Sequence, residues 1–307
     1  LAHVVLPVGF AGWFAHRSKQ TTKLQWISAQ VALLAFTVFI LIYGAGWSMF
    51  GIYTRWAVLA VVVGALALGG WRVWECPLLP DLDVSMVWAW LGLAVSLAVA
   101  GLFGSTMAMV MVAESPGSNP KRVAPPLEPG TYLVGQGGGH VAVNHHYGVA
   151  AQKRAYDIVG VGALGFRADG LMPEQLDAYE IFGAEVRAPC GGEVIDAKDG
   201  YADLPPPERN KEALAGNYVA LHCDGMTVLL AHLKRDSVAV ETGEVVETGE
   251  PVGAVGNSGN TTEPHLHIHA VEGRVSDTDT LLKDGTGVPL AFDGQPWPLS
   301  RNDVLEF

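Results

Sequence analysis

His265-Leu266-His267-Ile268-His269 is the densest chemical feature of the chain. Side chains alternate across a strand, so an extended backbone puts the three imidazoles on one face and Leu266 and Ile268 on the other. Two imidazoles at i and i+2 can meet one metal, or one metal and a substrate. The apolar residues between them argue for a sheet with a buried side, against a surface strand that happens to carry histidines. Taken alone, the pattern suits zinc, which accepts histidine nitrogen readily. Other catalytic signatures are missing or misplaced. No HExxH, P-loop or G-x-S-x-G sequence is present. Gly160-Val161-Gly162-Ala163-Leu164-Gly165 spells GxGxxG, but a dinucleotide site needs a helix to open at that point. Phe166-Arg167-Ala168-Asp169-Gly170 is turn-rich, so the run reads as a glycine-rich turn and no nucleotide cofactor is expected.

Such a strand needs a sheet around it. Short apolar runs broken by Gly, Pro and Asp occur at Thr131–Val134, Val141–His146, Gly192–Ile195, Tyr218–His222, Thr227–His232 and His265–Val271. That spacing predicts an all-β antiparallel domain. Leu204–Gly216, with Pro205, Pro206 and Pro207 in a row, reads as a long surface loop at the rim of the site. Glu114–Gly130, ESPGSNPKRVAPPLEPG, reads as an extended linker ahead of the domain.

The remainder of the chain is a different material. Residues 1–113 hold five basic and three acidic side chains, a net of +2, and eight of the nine tryptophans. Residues 114–307 hold 14 basic and 28 acidic side chains, a net of −14, and eight of the ten histidines. The negative balance argues against nucleic acid as a partner. Only 16% of the 307 residues are charged and the mean hydropathy is +0.26, where a soluble domain carries roughly 25% charged residues. Leu1–His16, Leu24–Thr54, Trp56–Trp71 and Val84–Ala113 are free of charge. The second and fourth are long enough to cross a bilayer as helices. Trp56–Trp71 is short: it spans with Arg55 and Arg72 reaching the two interfaces, or it is a re-entrant helix. Leu1–His16 reads as the tail of a helix. Three to four membrane helices are therefore expected over 1–113, then a linker over 114–130 and the β domain over 131–307. Basic residues between His16 and Lys23 place that loop in the cytoplasm. The turn from Gly44 to Arg55 and everything after Val84–Ala113 then lie on the extracytoplasmic side. Cys190 and Cys223 both fall in that outer domain, where they are bridged or unbridged; a cysteine-ligated zinc, the competing idea, has no C-x-x-C to support it.

Several motifs occur in one order. Ala188-Pro189-Cys190-Gly191-Gly192-Glu193-Val194 and Gly216-Asn217-Tyr218-Val219 come first. Ala231-His232-Leu233, a glycine- and valine-spaced stretch from Val238 to Gly253, Gly256-Asn257-Ser258-Gly259-Asn260-Thr261 and Pro264-His265-Leu266-His267 follow. This series resembles the lysostaphin-like, LytM-type zinc metalloendopeptidases that cut bacterial cell-wall peptides. The resemblance covers residues 140 to 274, extends loosely toward 303, and leaves out 1–130.

The resemblance implies a zinc ion held by His146, Asp157 and His267, with His232 and His265 as the catalytic pair flanking a water. The family's first His and Asp lie four residues apart, whereas His146 and Asp157 are eleven apart, as in a branch with a longer hairpin carrying Gln152-Lys153-Arg154-Ala155-Tyr156-Asp157. The longer gap leaves His145 open as the alternative ligand, with His140, expected on the same strand face as His146, behind it. His269 stands as a second-layer partner or a solvated residue. Two histidines and one carboxylate leave a fourth zinc position for water, the mark of a catalytic site. The function so implied is a membrane-anchored zinc endopeptidase acting on peptidoglycan stem or cross-link peptides, with the lipid bilayer as its other partner. The alternative is a non-catalytic domain of the same fold that binds cell wall or activates a hydrolase.

Overall fold

The computed structural model describes residues 2–17, 22–79, 84–113 and 119–307. It divides into two units, one of Leu1–Gly44 with Tyr53–Met111 and one of Ala45–Ile52 with Val112–Phe307. The first unit is helical, with α1 (Ala2–Arg17), α2 (Lys23–Tyr43), α3 (Thr54–Val73) and α4 (Val84–Ala113). Thr22 starts α2 through a reciprocal cap: the Gln25 N–H donates to its hydroxyl and its own N–H donates to the Gln25 carboxamide. Three helices, α2, α3 and Met86–Ala113 of α4, are long and apolar enough to cross a membrane. The α3 helix is longer than the charge-free stretch suggests. It is continuous and takes in Arg55 and Arg72 at its ends, so its 20 residues rise about 30 Å. Val61 and Val63 on α3 and Leu97 and Leu102 on α4 are exposed, an apolar exterior suited to lipid. Residues 18–21 and 80–83, which include Lys19, Asp81 and Asp83 of the expected cytoplasmic loops, lie outside the described residues, as do 114–118 of the expected linker.

The second unit is a β domain. Its strands are β1 (Lys121–Val123), β2 (Thr131–Gln136), β3 (Tyr156–Gly160), β4 (Glu185–Arg187), β5 (Gly192–Lys198), β6 (Asn217–Cys223) and β7 (Met226–Leu233). There follow β8 (Val245–Val246), β9 (Pro251–Ala254), β10 (Leu266–Glu272), β11 (Gly287–Val288), β12 (Leu290–Phe292) and β13 (Val304–Glu306). The main sheet runs β13-β2-β3-β10-β7-β6-β5-β8, with β11 also paired to β10. All its pairs are antiparallel; β4–β9 forms a separate antiparallel ribbon, and β1–β12 is a parallel exception. Asp224 and Gly225, both at positive φ, make the two-residue turn of the β6–β7 hairpin, the conformation Asp-Gly favours there. A disulfide joins Cys190 to Cys223.

Two expectations need correction. Residues 119–130 are not a free linker, because β1 pairs with β12 and Val123 and Leu127 are buried in the domain core. An apolar residue every few positions among the prolines was enough to dock this stretch. Val141–His146 is not a strand either. Asn144 is fully buried, its carboxamide oxygen accepts the His146 N–H, and its amide donates to the Gly138 and Ala155 carbonyls. This cap starts a short helical turn, His145–Gly148, so His140 does not share a strand face with His146.

The middle strand, β7, is buried from end to end. Val228, Leu230 and Leu233 face the main core with Leu266 and Ile268 of β10 and Ile158 of β3. Leu229 and Ala231 face a smaller cluster with Val271, Leu281 and Leu282. Arg301, just ahead of β13, grips the loop that carries the paired histidines. Its Nε donates to the Gly135 carbonyl, Nη1 to the Ala142 carbonyl, and Nη2 to the Gln136 side chain, which also accepts the His145 N–H.

Leu266→Ala should lower unfolding stability by about 2–5 kcal/mol, read from denaturant unfolding of the β domain within the full chain. Arg301→Met should speed amide hydrogen exchange across 140–146 while leaving β7 protected. Unchanged exchange in that loop would show that Arg301 does not hold it.

Candidate metal centre

The register of the sheet brings Asp157 and His267 together. They are direct partners across β3 and β10, and the His267 Nδ1 lies 2.8 Å from an Asp157 oxygen. The same pairing explains an acidic residue inside a strand, where Asp is otherwise disfavoured. His146 approaches from the turn that Asn144 caps. Its Nε2 lies 3.0 Å from both Asp157 oxygens. His145 stacks on His146 with ring centroids 3.8 Å apart, and ligand atoms of His145, His146 and Asp157 lie within 4.8 Å of one another. Among the described residues, these three could hold a metal ion, and Asp157 is shared with His267. His140 is tied to its own turn by the Ala142 N–H.

The ring of His232 reaches this cluster by a break in strand alternation. Val228 and Leu230 face the core at spacing two, but the next core residue is Leu233, three further on. His232 is the extra residue, at φ +63, beside a register shift between Asn217 and Tyr218. Left-handed backbone at a non-glycine residue costs on the order of 1–3 kcal/mol and persists where the surroundings enforce it. Here the His232 N–H donates to the Ala215 carbonyl and the His232 Nδ1 lies 2.9 Å from the Ser258 carbonyl. His265, just before β10, has its Nδ1 2.9 Å from the Glu263 carbonyl and 3.1 Å from the Thr261 hydroxyl. Carbonyls only accept, so in both rings Nδ1 carries a hydrogen, and the neutral form of either ring keeps its lone pair on Nε2. The two ring centroids are 4.9 Å apart, and the His265 Nε2 is 3.6 Å from Asp157.

Hydrogen bookkeeping shows what the cluster lacks. Asp157, His267, His269 and the Leu281 carbonyl form a chain with contacts of 2.8, 2.8 and 2.9 Å. Each of the three contacts needs one hydrogen, and two neutral imidazoles supply two. His269 must donate its Nε2 hydrogen to the Leu281 carbonyl, and His267 then donates to His269. The His267 Nδ1 lone pair is left facing a carboxylate oxygen. A third proton is disfavoured, because burial of the rings pushes His267 down to about 3 and His269 to about 4. Burial works against the Asp157 charge too, but His146 and His265, with the contacts to His146 and His267, hold its carboxyl well below the usual range. A divalent cation resolves the conflict, and a set of imidazole nitrogens around one carboxylate fits zinc. Burial, then the neighbouring His265 and His267 rings, hold His232 far below its ordinary value, so it stays neutral.

These groups open on a cleft of about 570 Å³ lined by His145, His146, Asp157, His232 and His265. His267 and His269 are buried, at 4% and 1% exposure. Arg209, from the proline-rich loop expected at the rim, also lines it. Sequence reading missed Gln136, Arg167, Glu263 and Arg301. Of these, Glu263 sits two residues before His265, and its carbonyl fixes that ring. Arg167 binds the Glu263 carboxylate, with its Nε 2.8 Å from an oxygen.

The profile of Peptidase family M23 matches residues 176–278, which include His232, His265, His267 and His269 and leave out His146 and Asp157. The chain is 33% identical over 89 residues to the peptidoglycan DD-endopeptidase ShyA of Vibrio cholerae serotype O1, over 29% of this chain and 20% of that one. It is 35% identical over 113 residues to the cell division protein DipM of Caulobacter vibrioides, over 36% and 15% of the two chains. It thus spans a fifth or less of the length of these curated relatives. Among solved structures, a zinc-containing peptidase from Vibrio cholerae is 27% identical, with 36% of this chain and 26% of that chain covered at a TM-score of 0.25. A superposition at that score adds no weight to the sequence match. From the profile and the ordered motifs, the chain carries a peptidase family M23 domain of the lysostaphin-like kind.

Proposed function

We propose that the chain is a membrane-anchored zinc endopeptidase that hydrolyses peptide bonds of peptidoglycan. The observation that carries this reading is the convergence of Asp157 with His146 and His267, in a hydrogen-deficient chain, next to two histidines whose Nε2 lone pairs are free. In this reading His146, Asp157 and His267 hold the ion, with His145 as the alternative to His146, and His269 orients His267. When bound, zinc supplies a water acidic enough to attack near neutral pH and polarises the scissile carbonyl. In their neutral forms, with Nδ1–H held by a carbonyl, His232 and His265 each present Nε2 to receive the proton that the attacking water gives up. The ring that takes it becomes a cation and hands the proton to the departing amine nitrogen, so the acid and base roles fall to the same pair. The Ser258 and Glu263 carbonyls accept from the two Nδ1–H groups and so favour the charged form that arises in passing. The peptide class comes from the name of the Vibrio cholerae relative and from the motifs.

The anchoring reading rests on the three long apolar helices within residues 1–113. Residues 45–52, between α2 and α3, belong to the same unit as the β domain, which supports an outer location shared by that connection and the peptidase. Residues 131–307, with 119–130 docked against them, are the proposed catalytic body.

His267→Ala in the purified full chain should abolish zinc retention and the release of peptides from sacculi, read by metal analysis and mass spectrometry of the fragments. His232→Ala should retain zinc and lower kcat by about 10²–10⁴-fold, the range for loss of one proton-transfer group. A wild-type chain that binds zinc and sacculi yet releases nothing would favour the non-catalytic alternative.

A further inference from the structure

The connection between α2 and α3 is part of the cleft. Ala45, Gly46, Ser48 and Met49 line it alongside the histidines, and the segment 45–52 belongs to the β-domain unit. Its seat is built. The Arg167 N–H donates to the Ser48 carbonyl at 2.9 Å, and the Ile52 N–H donates to the Gly165 carbonyl at 2.9 Å. Ile52 is buried with Leu133 and Val159 of the sheet and with Val161 just past β3. Gly51 lies at φ +80, and a Cβ there would come within 3.1 Å of both the Leu164 carbonyl and the Phe166 ring. Only glycine fits so close an approach.

Arg167 joins this segment to the catalytic side. It is 4% exposed, lines the cleft, and grips Glu263 through Nε and Nη2. Its Nη1 is buried and has no hydrogen-bond partner among the described residues. A buried guanidinium donor without an acceptor is costly, and a ligand oxygen removes the cost.

We propose that residues 45–49 and Arg167 form a substrate subsite, in which the peptide lies along the α2–α3 connection and gives an oxygen acceptor, a backbone carbonyl or a carboxylate, to the guanidinium. The peptide nature of the ligand rests on the reading above. Part of the substrate-binding surface is thus supplied by a turn between two membrane-length helices, and selection of the bond cut depends on residues outside the peptidase motifs.

The test uses the full chain in detergent micelles, loaded with zinc, and soluble cross-linked muropeptides as the probe, with binding and cleavage read separately. Ala45→Trp and Met49→Trp add bulk at two lining positions. Each should weaken muropeptide binding and raise KM by tenfold or more, with zinc content and melting temperature unchanged. Arg167→Lys should weaken binding similarly. Methyl-esterified muropeptides separate the two acceptors: loss of binding assigns the carboxylate, and unchanged binding assigns the backbone carbonyl. Wild-type binding and KM in both Trp variants would overturn the subsite, as would a wild-type chain that binds no muropeptide. A chain that binds muropeptides but cuts none, and loses binding on Ala45→Trp, supports the subsite and defeats the hydrolytic reading alone.

Discussion

The contact between Asp157 and His267 governs the β domain's active face. It is set by strand register, buried among neighbouring imidazoles, and short of one hydrogen. A buried polar contact that the protein alone cannot satisfy is a standing cost, and natural folds keep such costs where a ligand removes them. The neighbouring features serve this one. The Leu281 carbonyl fixes His269, His269 fixes His267, and the cap at Asn144 delivers His146 to the same carboxylate.

The two histidines beyond this pair are held differently, and the difference is chemical. His267 has its second nitrogen tied to a side chain, His269, whereas His232 and His265 have theirs tied to backbone carbonyls. A backbone acceptor does not titrate, so it fixes one tautomer at any working pH. The strained φ at His232 belongs to the same design, since regular alternation would have sent this ring into the core.

Much of this was legible in the sequence, for definite reasons. The His265–His269 strand showed itself because a period of two is visible in five residues, and Leu266 and Ile268 do face the core. The ordered glycine and histidine motifs named the fold class. What stayed hidden depended on backbone geometry or on distant partners. The bulge at His232 leaves no mark in a run that reads Leu-Leu-Ala-His-Leu. Asn144 reads equally as a strand residue or a cap until its acceptors are placed. Arg167 and Arg301 are single charges in turn-rich stretches, and their partners lie 96 and more than 150 residues away. The segment 45–52 has the composition of a plain connector, and what sets it apart is tertiary: its hydrogen bonds to Gly165 and Arg167 and the burial of Ile52.

The sheet order has a consequence for how the protein can be divided. The profile match starts at 176, past β2 and β3, yet β3 sits between β2 and β10 in the middle of the main sheet. A fragment cut at that boundary would lose His146 and Asp157, and would also leave Leu266–Ile268 paired with β7 alone, its β3-facing edge uncovered. Such a bare, flat, apolar margin invites other chains to add to it. For this protein, trimming to the shared segment therefore trades a complete histidine–aspartate cluster for an open edge that favours self-association.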